Sequence, residues 1–345
     1  MGTMNTRQRT VHIDALRGLA VLLMILVHAA ATWEPQLSGP WLMFGAVVSG
    51  AGGLAAPLFA ALLGWGLYQR QLFFKQRVWR AACLFLCQGV VNLSAPHLFD
   101  PWTPGVLTLL GVLVLLEGGW KFVFQRFENP VKVFAGLGVV LVASTHRLRE
   151  TQGPSIWIER VVVADPVQWG QHLVLTGLYP LFPWILFAVF GTAVAACTDE
   201  QRAQLLNRTI VFGVGVSSLF LMESWRSNVP WALPTGNAYL TFFPANAAFL
   251  IAALAGAALL WKMTETIDAF QVLADLGQVS LTVYVVHFLP FAWFHRADEL
   301  QSWSPVLTVL VVVGYTLLWT ALGTLWRRKA PKSTLERWMR RFEPK

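Results

Sequence analysis

Long apolar segments recur along the whole chain, and each is close to the length of about 20 residues that a helix needs to cross a bilayer. Of the 345 residues, 56% are hydrophobic and only 13% are charged, and the mean hydropathy is +0.55, which excludes a soluble globular protein. We therefore predict an all-α, polytopic integral membrane bundle of about ten transmembrane helices. The predicted helices are Val11–Trp33, Trp41–Tyr68, Val78–Ala95, Pro104–Val123, Val131–Thr145, His172–Cys197, Arg208–Trp225, Ala238–Met263, Val272–Trp293 and Pro305–Trp326.

The basic residues between these helices predict the orientation of the chain. If the N-terminus is cytoplasmic, the external segments hold only five of the 26 Lys and Arg residues: Arg147, Arg149, Arg160, Arg226 and Arg296. Arg17 lies inside the first helix, so the other 20 fall on the cytoplasmic side. Because cytoplasmic loops are enriched in Lys and Arg, both termini are predicted to be cytoplasmic. The net charge of +8 then reflects topology, and we expect no nucleic-acid partner.

No polar stretch is long enough to form a separate domain. We expect a single transmembrane domain over residues 1–345, with residues 327–345 as a basic cytoplasmic tail. The three cysteines lie in apolar segments, so no disulfide framework is indicated. The sequence has no Cys/His spacing typical of a metal site, and we expect no metal.

The first predicted helix carries three ionisable residues, Asp14, Arg17 and His28. Each costs roughly 2.5–3.5 kcal/mol in a bilayer, so such residues usually face a bundle interior or a wet cavity. Arg17 and His28 are separated by three helical turns, so they share a face and lie roughly 16 Å apart along the axis. Arg17 is equally suited to an ion pair with Asp14 or to reaching the lipid headgroups. Residues 1–31 also fit a cleaved signal peptide, which the sequence leaves open.

Five motifs extend over nearly the whole chain. They are Ile-Asp-Ala-Leu-Arg-Gly with Arg-x₁₀-His in the first helix, Gly-Leu-Ala-Ala-Pro-Leu-Phe-Ala-Ala-Leu-Leu-Gly (53–64), Tyr-Pro-Leu-Phe-Pro-Trp (179–184), Leu-Gly-Gln-Val-Ser-Leu-Thr-Val-Tyr-Val-Val-His (276–287) and Leu-Glu-Arg-Trp-Met-Arg-Arg-Phe (335–342). In this order they resemble the transmembrane acyltransferase superfamily, with its acyltransferase-3, heparan-glucosaminide N-acetyltransferase-like and YeiB-like branches. His28 follows the acyltransferase-3 pattern, whereas the other two branches commonly have Asn at this position.

The resemblance implies a multi-pass enzyme of the cell (inner) membrane that transfers an acetyl or other acyl group. The donor would be cytosolic acyl-CoA, and the acceptor a sugar, glycan or other cell-envelope molecule. In this interpretation His28 is the general base, with His287 and Asp14 as further catalytic residues, and Arg17 holds a donor phosphate. The acyl chain length and the oligomeric state, including a homodimer, stay open.

Further candidates lie in three other segments. Ser280, Tyr284 and His287 form a polar stripe that either positions substrate or bonds helix to helix. Tyr179 and Trp184 flank two prolines and either line a substrate cavity or anchor the chain at the interface. In the loop 69–80 the cations, among them Arg70, Lys75 and Arg77, either bind the nucleotide part of acyl-CoA or rest on anionic lipid.

A different function class also fits these residues. In a proton-coupled transporter or exporter, Asp14, Arg17, His28 and His287 would form a relay without acyl chemistry. The chain shows no evident inverted repeat of broken helices, which argues against a transporter. A third hypothesis is a membrane scaffold that has lost catalytic activity.

Overall fold

A computed structural model describes residues 6–34, 37, 39 and 41–345. In chain order its α-helices are α1 (Thr6–Trp33), α2 (Trp41–Gly52), α3 (Ala55–Tyr68), α4 (Phe74–Ser94), α5 (Val106–Arg126), α6 (Pro130–Arg147), α7 (Trp157–Val161), α8 (Pro166–Gln171), α9 (Leu181–Ala196), α10 (Asp199–Ser227), α11 (Ala247–Thr266), α12 (Ala274–Gly277), α13 (Ser280–Val286), α14 (Phe291–Phe294), α15 (Ala297–Gln301), α16 (Pro305–Lys329) and α17 (Leu335–Arg341). A π-helix spans His172–Thr176, and 3₁₀ turns span Arg149–Thr151, Asp268–Leu273 and Pro331–Ser333. Two short parallel strands, β1 (Ala232–Leu233) and β2 (Leu240–Thr241), pair Ala232 with Leu240 and Leu233 with Thr241.

The described residues include six helical segments that are long and apolar enough to cross a membrane, with α2 and α3 counted together as Trp41–Tyr68. The number is eight if each of two bent helix pairs also counts as one span. Two of the ten predicted spans are helical without meeting that criterion. Helix α4 begins with a turn that carries Lys75 and Arg77, and α6 is only 18 residues long with basic residues at both ends. Their apolar parts are therefore shorter than the typical span of about 20 residues.

The chain packs as two compact units. The first unit comprises the described residues up to Leu58 together with Gly89–Pro101 and Met263–Glu343. The second unit comprises Phe59–Gln88, Trp102–Lys262 and the last two residues. The single membrane domain over residues 1–345 stays a prediction.

In the first unit, α1 packs closely against α12. A Cβ on Gly277 would meet the backbone carbonyl oxygen of Asp14, so only glycine allows this approach. The ninth predicted helix, Val272–Trp293, is not continuous, because α12 and α13 are separated at Gln278–Val279 and the segment bends by 64°. Pro290, which has no N–H to donate, follows the end of α13 and precedes α14.

In the second unit, the sixth and eighth predicted helices also have different bounds. The sixth breaks at 177–180, with a bend of 48° before α9, because Pro180 and Pro183 interrupt the helical hydrogen bonds. The eighth begins only at Ala247, since residues 238–246 contain β2 and a turn. Helices α3 and α9 cross closely, as a Cβ on Gly191 would meet the carbonyl oxygen of Ala61.

The segment before the π-helix is organised by a buried arginine, Arg160, which is only 1% exposed. Its guanidinium donates to five backbone carbonyl oxygens: Pro154 at 2.5 Å, Gln152 at 2.8 Å, Gly153 at 3.2 Å, Thr176 at 3.0 Å and Gly177 at 2.8 Å. Burial lowers the pKa of Arg160 to about 10, so the group is still charged at neutral pH. One side chain therefore joins the 152–154 turn to the break that precedes α9.

Candidate functional site

Two histidines from distant parts of the sequence meet in the first unit. His28 lies on α1, and His287 directly follows α13. The Nδ1 atom of His28 is 3.1 Å from the Nε2 atom of His287, and the two rings are stacked with an angle of 14° between their planes. The sequence predicts only a similar depth for these residues, and the structure brings them into direct contact.

Aromatic rings surround this pair. The ring of Phe288 lies 4.6 Å from that of His28 and 4.3 Å from that of His287, measured between centroids. The ring of Tyr284 is edge-on to both histidines, at 6.1 and 6.0 Å. His287 is fully buried, whereas His28 is half-buried. The surrounding residues therefore shield His287 completely and leave His28 partly accessible.

The hydrogen bonds of the pair determine where its protons lie. The Nδ1 atom of His287 is 3.0 Å from the backbone carbonyl oxygen of Val283, which can only accept, so Nδ1 carries the proton. In the neutral ring Nε2 is then an acceptor, and it receives the Nδ1–H of His28. The Nε2 atom of His28 is left with a lone pair, and no hydrogen bond joins it to the described part of the chain. In this arrangement the ring of His28 is held by one nitrogen, and the other nitrogen can accept a proton.

Asp14 and Arg17 do not join the histidine pair. The Nη1 atom of Arg17 donates to Oδ1 of Asp14 over 2.8 Å, which is the i,i+3 ion pair that the sequence offered as an alternative. The Arg17 side chain is 30% exposed. Asp14 lies roughly 21 Å from His28 along α1, so a direct catalytic contact between them is not present.

Ser280 and Tyr284 take different positions relative to the pair. Tyr284 is buried and contacts both histidine rings. Ser280 is the first residue of α13, two turns before His287. Because α13 ends at Val286, the predicted stripe is short, and the half-buried Ser280 lies at its far end.

Tyr179 and Trp184 form an aromatic cluster in the second unit. Their ring centroids are 5.0 Å apart in an edge-on arrangement, and Phe242 contacts both rings. Trp184 is completely buried, so it is not an interface anchor. Its Nε1–H is buried without a hydrogen-bond partner in the described residues.

Arg70, Lys75 and Arg77 lie around a helix start, since α4 begins at Phe74 inside the predicted loop. Lys75 is exposed, whereas the Nε atom of Arg77 is 4.0 Å from a carboxylate oxygen of Glu117. The Nζ atom of Lys121 donates to the carbonyl oxygen of Arg70 over 2.5 Å. Glu117 and Lys121 lie one turn apart within the apolar run of α5, and both are buried. The sequence interpretation missed this burial, although charges in an apolar helix are a visible signal.

A second histidine pair in the first unit was also missed. The rings of His97 and His295 are stacked 4.7 Å apart, and His97 Nε2 is 3.3 Å from the hydroxyl of Thr32, one turn beyond His28. Burial, and to a smaller extent His295, lowers the pKa of His97 to about 4. No local pattern connects two residues so far apart in sequence, so only tertiary structure reveals the pair.

Comparison with known families bears on this geometry. The family model described as "Heparan-alpha-glucosaminide N-acetyltransferase, catalytic" matches residues 9–222, which include Arg17, His28 and Trp184. A second family model, described as "Protein of unknown function (DUF418)", matches residues 193–343, which include His287 and the tail. No curated protein matches the chain.

Proposed function

Because the chain belongs to the heparan-glucosaminide N-acetyltransferase-like and YeiB-like family of transmembrane proteins, we propose that it is an acyl-CoA-dependent membrane acyltransferase. It moves an acetyl or other acyl group from cytosolic acyl-CoA to a sugar, glycan or other cell-envelope acceptor. The observation that carries this proposal is the His28–His287 pair, in which the half-buried His28 presents an unprotonated Nε2.

In the proposed reaction, His28 Nε2 takes the proton of an acceptor hydroxyl or amine. The acceptor atom then bonds to the carbonyl carbon of the thioester while the carbon–sulfur bond breaks. The departing thiolate takes the proton from His28, which restores the neutral ring. During this step His287 Nε2 accepts the hydrogen bond from His28 Nδ1, which keeps the ring oriented and stabilises its positive charge.

The other predicted residues have supporting roles in this proposal. Arg17, in the first unit, supplies positive charge for a phosphate of acyl-CoA. Taken by itself, the second unit offers Arg70, Lys75 and Arg77 as cations suited to the nucleotide part of acyl-CoA. In the first unit, Ser280 and Tyr284 position the acceptor. In the second unit, Tyr179 is the proposed substrate-binding residue, and the buried Trp184 packs against its ring. Asp14 orients Arg17 through their ion pair, which replaces the direct catalytic role expected from the sequence.

The direct test uses protein purified in detergent, acetyl-CoA labelled in the acetyl group and a panel of envelope sugars. Release of free CoA together with label in a sugar supports the proposal. If the protein neither binds nor consumes acetyl-CoA, the proposal is wrong. Proton-coupled uptake of a sugar into vesicles would then favour the transporter.

We also propose that the chain makes ten passes with both termini cytoplasmic, so that α4 and α6 are short spans. Single cysteines at positions 75 and 341 are expected to be protected from an impermeant thiol reagent in intact cells. Cysteines at 147 and 296 are expected to react. The background variant lacks Cys83, Cys87 and Cys197, and labelling at position 75 would contradict this topology.

A binding experiment separates the role of Arg17 from that of His28. Arg17→Lys keeps the charge but loses the planar fork that matches phosphate, so we expect the affinity for CoA to fall about tenfold. His28→Ala is expected to leave the affinity for CoA unchanged, because residue 28 lies roughly 16 Å from Arg17 along α1. Calorimetric titration with CoA measures both.

The matched control for that experiment is Asp14→Asn, which removes the partner of Arg17 and keeps the guanidinium. If Arg17 binds phosphate, Asp14→Asn retains more CoA affinity than Arg17→Lys. Equal affinity in the wild type and Arg17→Lys would show that Arg17 serves only the ion pair.

A further inference from the structure

The C-terminal helix α17 is bonded to the first turn of α13. The Glu336 carboxylate accepts hydrogen bonds from the backbone N–H of Leu281 at 2.6 Å and of Thr282 at 3.1 Å. It also accepts from the hydroxyl of Thr282 at 2.6 Å, and that hydroxyl accepts from the N–H of Leu335 at 2.8 Å. Helix α17, which lies in the segment that the sequence predicts as a basic cytoplasmic tail, is therefore an integral part of the first unit.

The contact satisfies groups that would otherwise be left without partners. The first N–H groups of a helix have no acceptor within the helix, and Thr282 is only 1% exposed. A carboxylate that accepts three hydrogen bonds is a strong partner for such groups. Glu336 is itself half-buried, so the carboxylate is partly shielded from water.

A short series of contacts leads from this carboxylate to His28. Helix α13 has only seven residues, so a fixed first turn also fixes its end. Its Val283 carbonyl accepts the Nδ1–H of His287, whose Nε2 then accepts from His28. Tyr284 of the same helix contacts both histidine rings. The position and tautomer of the pair thus depend on where α13 lies.

The end of α16 holds the preceding segment in a similar way. Arg327 Nε donates to the side-chain oxygen of Gln278 at 2.6 Å, and Arg328 Nε donates to Asp275 at 2.6 Å. Asp275 lies in α12 and Gln278 lies in the break between α12 and α13, so neither contact reaches α13 itself. The tail therefore bonds to α13 itself through the Glu336 carboxylate and the N–H of Leu335, and Glu336 makes three of these four bonds.

We propose that α17 is a positioning element for the His28–His287 pair and that Glu336 is the residue through which it acts. The expected effect on activity rests on the proposed acyltransferase function. The expected effect on the histidines does not, because it concerns the geometry of the resting protein.

The test compares Glu336→Ala and Glu336→Gln with Arg341→Ala, a control at an exposed position on the same helix. In Glu336→Ala we expect the Leu281 and Thr282 amides to exchange hydrogen about 10–100-fold faster. We also expect the ¹⁵N resonances of the His28 and His287 rings to shift towards mixed tautomers. Glu336→Gln can still accept from the two amides, so it is expected to fall between wild type and Glu336→Ala. Arg341→Ala should match the wild type in both measurements.

Kinetics provide a second readout. Because the histidines act on the chemical step, Glu336→Ala is expected to lower kcat while leaving the KM for acyl-CoA nearly unchanged. Unchanged histidine resonances in a folded Glu336→Ala protein would overturn the inference. A wild-type protein without acyltransferase activity would instead overturn the proposed function, and the exchange and resonance measurements would still decide the role of Glu336.

Discussion

Replacing His28 by alanine is expected to lower the rate of acyl transfer by about 10²–10⁴-fold, the usual effect of removing a general base. Of the two histidines, only His28 has a free ring lone pair and is partly accessible. His287 is fully buried, and its Nε2 already accepts a hydrogen bond. The measurement is kcat/KM for acetyl transfer in detergent-purified protein.

Two variants control for loss of structure. His28→Asn can still donate a hydrogen bond to His287 but is not a base, so we expect it to be as inactive as His28→Ala. His146→Ala changes an exposed histidine at the end of α6 and should keep normal activity. Near-normal turnover in His28→Asn would show that this residue packs and does not act as a base.

Replacing Arg160 by methionine is expected to lower the free energy of unfolding of the second unit by more than about 3 kcal/mol. Methionine fills similar space but leaves buried carbonyl oxygens without a donor, each of which costs about 1–3 kcal/mol. The five carbonyls belong to the 152–154 turn and the end of the π-helix, so both are expected to loosen. Thermal unfolding in detergent, with CoA absent, measures the loss.

Arg160→Lys and Arg147→Ala complete that series. Lysine keeps the charge and has three donors but lacks the planar fork. The stability of the Arg160→Lys protein should therefore lie between those of the wild type and Arg160→Met. Arg147 is exposed at the end of α6, and its replacement should have little effect. An Arg160→Met protein as stable as the wild type would contradict the structural role assigned to this guanidinium.

The strongest sequence predictions concern features that repeat within one segment. An uninterrupted apolar run with Asp14, Arg17 and His28 at helical spacing predicts α1, and the structure has a helix from Thr6 to Trp33. The family resemblance was likewise carried by short local motifs, and it is confirmed by the matching family models. Predictions of continuous helices failed where a proline or a turn breaks an apolar run, as at Pro180 and at Gln278–Val279, because hydropathy does not record helix continuity.

Pairings between distant residues depend on tertiary structure. No sequence pattern indicates that His97 and His295 are in contact. In the sequence Glu336 is one charge among many in the tail, and its bonds to α13 are not evident. Glu117 and Lys121 were visible as charges within an apolar helix, yet their partners in the second unit were not.

The sequence alone determined that this is a helical membrane protein of an acyltransferase-like family, because apolar length and local motifs are properties of contiguous residues. Through the 3.6-residue period, the sequence also predicted that His28 and Arg17 lie on one face of the same helix. Only the tertiary structure decided that His287 is the hydrogen-bond partner of His28 and that the Val283 carbonyl sets the tautomer of His287. It also decided that Glu336 bonds to the first turn of α13, the helix that ends next to His287. The physical reason is that a hydrogen bond needs donor and acceptor within about 3 Å, and for residues far apart in sequence that distance is set by helix packing, which no local pattern encodes.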